Sequence, residues 1–229
     1  GSKDPFGLRR AAQGAVRIAL GASEGDGLSL DLLEAAREAI EVYRGQGGSR
    51  LTRESGAILT DLRPFFDDRI RHLLGLRGYA YDEIEAALGA SLEKNPLDLN
   101  ASAAALKSIR GDERFLIAIQ AAKRIANILK DAPPAPFAAE KLVEPAEREL
   151  WAAFDARRAA LVKGMNSQDR VRALESVAEL GPPLDRFFVE VLVNDPDPVL
   201  RNNRIGLLQS IGTAIFAIAK LTEMVVEKR

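Results

Sequence analysis

Apolar residues recur along this chain at three- and four-residue intervals, and nowhere does strict alternation persist beyond a few positions. That spacing predicts helices and no sheet, an all-α fold. The most informative stretch runs from Asn194 to Leu208. Asp195, Pro196, Asp197 and Pro198 stop the preceding segment; Asp197 then suits an N-cap and Pro198 the first helical position. A helix is predicted from there to about residue 227, with Leu200, Leu207, Ile211, Ile215 and Ile218 within a sector of roughly 80°. No Asp or Glu lies between Asp197 and Glu223, and the only charges over that span are Arg201, Arg204 and Lys220. Cations in a first turn oppose the helix dipole, so these arginines need another reason. Arg204 falls in the apolar sector, and a buried guanidinium must be paired. Arg204 is therefore expected to be a structural anchor, for Asp195, Asp197 or Asp185. Arg201 and Asn202 lie off the stripe.

The rest of the chain reads the same way. A first helix is expected from an Asp4 cap and Pro5 to about residue 20, with Phe6, Leu8, Ala12, Ala15 and Ala19 on one side. Arg9, Gln13 and Arg17 form a polar stripe on it. Further helices are predicted over 30–44, 52–76 (kinked or split by Pro64), 81–89 and 101–109. Over 114–130, Ile117, Ala121, Ile125 and Ile128 define an apolar side. Gln120, Lys123, Arg124, Asn127 and Lys130 form a polar face that no acid interrupts. The run Asp131-Ala132-Pro133-Pro134-Ala135-Pro136 reads as a linker. It divides the chain into a helical region at 1–130, a linker at 131–139 and a second helical domain at 140–229. Beyond it, Pro145 opens a helix to about residue 163, Ser167 caps the next, Gly181-Pro182-Pro183 interrupts, and a short helix covers 184–193.

Composition narrows the chemistry. With 229 residues, 47% hydrophobic and 28% charged, the chain is globular, and no apolar run approaches the roughly 18 residues of a membrane span. There is no cysteine and a single histidine, His72. Thiolate and multi-histidine metal sites are thereby excluded, and so is a cysteine nucleophile. No catalytic residue and no metal ligand is nominated. The net charge of −1 argues against a generic nucleic-acid binder but leaves room for a local basic face. The abrupt beginning at a helix cap, with Gly1-Ser2 either native or a cloning scar, reads as a fragment of a larger protein.

Three motifs occur in order: Lys3-Asp4-Pro5-Phe6-x-Leu8-Arg9-Arg10-Ala11-Ala12, then Lys123-Arg124-x-x-Asn127-Ile128-Leu129. The third is Phe187-Phe188 followed by Val191-x-Val193-Asn194-x-x-Asp197-x-x-Leu200-Arg201-x-Asn203-Arg204-Ile205-x-Leu207-Leu208. Together they resemble the β subunit of bacterial heterotetrameric glycyl-tRNA synthetase, over a C-terminal third of that subunit. The last domain resembles the all-helical anticodon-binding domain named for its Asp-Ala-Leu-Arg motif, which reads Asp197-Pro198-Val199-Leu200-Arg201 here. The resemblance implies ATP-dependent (with Mg) joining of glycine to its tRNA, carried out at the α subunit of an α2β2 tetramer in the cytoplasm. No cofactor is expected in this part. It implies glycine tRNA and the α subunit as partners, no membrane, and anticodon recognition by the C-terminal domain.

Anticodon bases are unpaired, so a protein can stack them and bond their edges. The residues expected to meet RNA are Arg201, Asn202, Asn203, Lys123, Arg124, Asn127, Arg9 and Arg10. Asparagine amides and an arginine complement the cytosine edges expected in this anticodon. The rival reading is a helical protein–protein scaffold that binds no RNA.

Overall fold

The computed structural model describes residues 7–21, 27–46, 51–90, 95–164 and 169–226. Its helices are α1 (Leu8–Leu20), α2 (Leu32–Gly45), α3 (Ser55–Leu76), α4 (Tyr81–Ala90) and α5 (Pro96–Ile109). They continue with α6 (Glu113–Leu129), α7 (Pro145–Lys163), α8 (Arg170–Glu179), α9 (Gly181–Glu190) and α10 (Pro198–Ile218). No strand occurs among the described residues. The expected Asp4 cap, Lys3–Phe6 motif and Ser167 cap lie outside them.

Local chemistry accounts for most helix starts. Asp31, Asn95, Asp112 and Asp197 each accept a first-turn backbone N–H, which satisfies a donor the helix cannot. Pro96, Pro145 and Pro198 occupy the first turn, where a missing N–H costs nothing. The same logic corrects the 184–193 expectation. Pro182 and Pro183 open α9 at Gly181 instead of breaking the chain, and Val191 is already extended. Pro64 sits inside α3, which continues past it unsplit.

Helix α6 is the pivot of the packing. It lies against α8, α9 and α10, and α7 packs against the same three helices. Phe115, Ala118, Ile119, Ala122 and Ile125 of α6 are fully buried. The buried face is thus rotated from the predicted one, because α6 meets helices on more than one side. The N-terminal helices form a layer of their own, α1 on α3 and α5, α2 on α3, and α4 on α5. Val16, Ala19 and Leu20 bury α1, whereas Leu8 stays 63% exposed and Ala15 is exposed as well. The two layers join through α5 on α8 and through α10 on α4.

The last helix is shorter than its apolar pattern predicts. It ends at Ile218, and extended Ala219 turns the chain back over α4. There the Lys220 N–H donates to the Ala86 carbonyl at 2.8 Å. The Val225 N–H donates to Asp82 Oδ2 at 2.9 Å, and Lys123 Nζ donates to the Met224 carbonyl at 2.6 Å. Leu221 and Met224 of this tail are buried. Asp82 and Glu83 are themselves buried and paired with Arg110 at 2.8 and 2.7 Å. The hydrogen bonds that Arg110 donates to Glu83 and to Asp82 outweigh burial and hold its guanidinium above its ordinary pKa. An apolar continuation read as helix is therefore a strap, because its partners lie more than 100 residues away.

The Pro-rich segment is also strapped down. Gln209 clamps it with both ends of its amide, accepting from Ala135 N–H at 2.9 Å and donating to the Pro133 carbonyl at 2.8 Å. Asn203 Oδ1 accepts from Ala138 N–H at 2.8 Å. Where the strap crosses α10, a Cβ on Gly206 would stand 2.6 Å from the Pro136 carbonyl oxygen. Only a glycine permits that crossing without displacement. Gly206→Ala is expected to lose about 1–3 kcal/mol to overpacking, more than offsetting the ~1 kcal/mol of helix propensity gained. Gly14→Ala in α1 meets no atom within 4 Å and should gain about 1 kcal/mol. Urea unfolding midpoints should move in opposite directions; a rise in both would contradict the crossing.

Candidate nucleic-acid interface

The start of α10 is built around Arg204, which is 3% exposed. Its Nε donates to Glu147 Oε1 at 2.5 Å, and its Nη1 donates to Asp195 Oδ2 at 2.7 Å and to the Leu192 carbonyl at 2.9 Å. Glu147, 1% exposed, uses its other oxygen to accept the backbone N–H groups of Val143 and Glu144 at 2.6 and 2.8 Å. One buried ion pair therefore fastens together the start of α7, the loop after α9 and the second turn of α10. Burial opposes the charge on Arg204, but the hydrogen bonds to Glu147 and Asp195 prevail and raise its pKa.

The expected anchoring role of Arg204 is thus met by Asp195 and by Glu147, which the sequence reading did not name. Asp197 instead caps the helix through Val199 N–H at 2.8 Å. The Glu144-Pro145-Ala146-Glu147 pattern, which folds as a capping box, was the available signal for Glu147.

The other expected contact residues divide by environment. Arg201 is partly buried and donates to the Asp195 carbonyl at 2.8 Å. Asn203 is 4% exposed and committed to the strap. Asn203 is therefore corrected to a structural residue, because its amide oxygen satisfies a backbone donor that burial would otherwise strand. Asn202 is exposed, and its side chain makes no hydrogen bond. It stands beside Lys141, Pro136, Ala138 and Val199 around a hollow of about 180 Å³. Lys141, also exposed and with a side chain that makes no hydrogen bond or ion pair, is a residue the sequence reading missed, since it had no motif to mark it. Among the described residues no carboxylate lines this hollow.

On α6, Lys123 is occupied by the C-terminal strap. Arg124 is exposed, with its guanidinium 4.4 Å from the centroid of the Phe188 ring. Asn127 and Lys130 are exposed, and their side chains make no hydrogen bond or ion pair. Arg9 and Arg10 are exposed on α1, whose packing neighbours are α3 and α5. The site residues therefore fall on three elements, and the turn at Asn202 is the part the fold holds most firmly. His72 is exposed on α3. Among the described residues no group of three His, Cys, Asp or Glu side chains is placed to hold a metal ion, and no helix is long and apolar enough to cross a membrane.

Asp195 also carries the pH dependence of this turn. The Asp197 N–H, 2.9 Å from its Oδ1, and then Arg204 hold its carboxyl below the usual range. A depressed folded pKa contributes stability that is present above the unfolded value, about 3.9, and is lost as pH falls through the folded value. Asp195→Asn should therefore be less stable than the parent at neutral pH, with the difference shrinking below about pH 4. Arg204→Met strands Glu147 and should cost about 3–5 kcal/mol. Urea unfolding at neutral and acidic pH checks both.

Comparison with known proteins matches residues 1–89 to the family model described as glycyl-tRNA synthetase beta subunit. The glycine–tRNA ligase beta subunit of Moorella thermoacetica is 35% identical over 98% of this chain and 32% of its own length. Those of Acidobacterium capsulatum and a Ruegeria species are 36% and 33% identical, again over 98% of this chain, covering 32% and 31% of their own lengths. The chain spans about a third of the length of the relatives it matches, in a C-terminal portion of that subunit. With this similarity running over nearly all of its residues, the chain belongs to the glycyl-tRNA synthetase beta-subunit family.

Proposed function

We propose that this chain is the tRNA-binding part of a glycine–tRNA ligase beta subunit and grips the anticodon region of glycine tRNA. In this reading ATP-dependent glycylation takes place at the α subunit of an α2β2 assembly in the cytoplasm, and this part supplies no catalytic group. The segment after the Pro-rich strap, 140–229, is the anticodon-binding domain, with 1–130 as the helical region that precedes it. The observation that carries the reading is the turn at Asn202. Two polar side chains with no intramolecular partner, Asn202 and Lys141, face one acid-free hollow, on a turn that Arg204 and Asn203 immobilise from beneath.

The chemistry fits an unpaired strand. A lysine places a phosphate, and an amide that both donates and accepts reads a base edge. Because neither group must first break an internal bond, binding releases no stranded partner into the protein. Arg201 supports the turn through the Asp195 carbonyl and keeps further N–H groups for RNA.

Asn202→Ala in the intact ligase should lower kcat/KM for glycine tRNA about 5- to 150-fold without changing the urea midpoint, and Lys141→Ala should reduce the salt slope of tRNA binding by about one. Unchanged tRNA kinetics in both variants would refute the reading. Binding to the purified α subunit that is lost in these variants, with tRNA binding intact, would favour a protein-docking role.

A further inference from the structure

The strap at 135–138 has a second side. Pro136 and Ala138 border the Asn202–Lys141 hollow, whereas Ala135 and Phe137 border a larger groove between α7 and α10. This groove has a volume of about 650 Å³. Trp151 lines it, partly buried, with Phe137 packed against it at 4.6 Å between ring centroids. Gly206, Ala214 and Ala217 keep the α10 wall low. Among the described residues Arg158 is the only charged one that lines it; it is exposed, and its side chain makes no hydrogen bond or ion pair. Thr213 offers an exposed hydroxyl on the opposite wall.

We propose that this groove receives an unpaired nucleobase of the anticodon loop, stacked on Trp151, with Arg158 on the adjoining phosphate. The inference rests on the tRNA-binding reading above and extends it to a second subsite. An aromatic face beside an unpaired guanidinium is the chemistry that holds single-stranded bases. A groove that has one cation and no carboxylate complements a phosphodiester. The two hollows are separated only by the strap, three residue steps that reach at most about 10 Å. A flexible strand crosses that distance within one or two nucleotides. Lys141 and Asn202 would hold one nucleotide, and Trp151 and Arg158 a neighbour.

Trp151 is the chain's sole tryptophan, so its emission reports on the groove directly. The 229-residue chain is titrated separately with the anticodon stem-loop of a glycine tRNA, with an acceptor minihelix of the same tRNA, and with purified α subunit. Binding is measured by both tryptophan emission and filter retention. Saturable quenching by the stem-loop is expected. Arg158→Gln should weaken stem-loop binding several-fold and lower its salt slope. Trp151→Leu, with helix content verified by circular dichroism, should weaken it about 5- to 150-fold.

Stem-loop binding with unchanged emission and an unaffected Arg158→Gln variant would overturn the groove assignment and leave the tRNA reading standing. Retention of neither RNA would sink both. Quenching by the minihelix or the α subunit, in place of the stem-loop, would reassign the groove and overturn the proposal.

Discussion

Everything at the proposed RNA-facing end depends on the buried pair of Arg204 and Glu147. The pair is nearly sealed from water, and such a pair is tolerated only when every remaining donor and acceptor is used. Here they are used to a structural end. Glu147 closes the first turn of α7 while it neutralises Arg204, and Arg204 gathers the loop at 192–195 onto α10. The two cations that oppose the dipole of α10 are therefore explained without RNA. Arg204 looks inward to two carboxylates, and Arg201 returns to a loop carbonyl.

That constraint sorts support from surface. Asn203 and Gln209 face the strap, about one and three turns along α10 from its start, and tie down three strap positions, Pro133, Ala135 and Ala138. Gly206 lies between them and lets the backbone pass. With the strap fixed in this way, the residues on either side of it, Lys141 and Asn202 on one and Trp151 and Arg158 on the other, share a rigid frame. A binding surface on a frame held by buried bonds loses little conformational entropy when it is occupied.

Local signals in the chain were legible. The Asp197 cap with Pro198, the extent of α7 from Pro145 to Lys163, and the burial of Arg204 follow from spacing and capping chemistry alone. What escaped was decided at long range. Glu147 is 57 residues from Arg204, Asn203 meets a backbone N–H 65 residues away, and the end of α10 is set by Ala86 and Asp82. A one-dimensional pattern marks Asn203 as a polar residue in a polar turn, and only the path of the strap buries it. Lys141 and Arg158 carried no pattern at all; their standing comes from having no partner in the fold.

The central claim is that the strap and the Asn202 turn, not the outer face of α1, form the tRNA surface. Backbone hydrogen exchange of the chain with and without glycine tRNA tests it most directly. The account predicts slowed exchange at 135–141 and 199–202 when tRNA is bound, with α1 unchanged. Protection confined to Arg9, Arg10 and the rest of α1, with the strap exchanging as before, would contradict it.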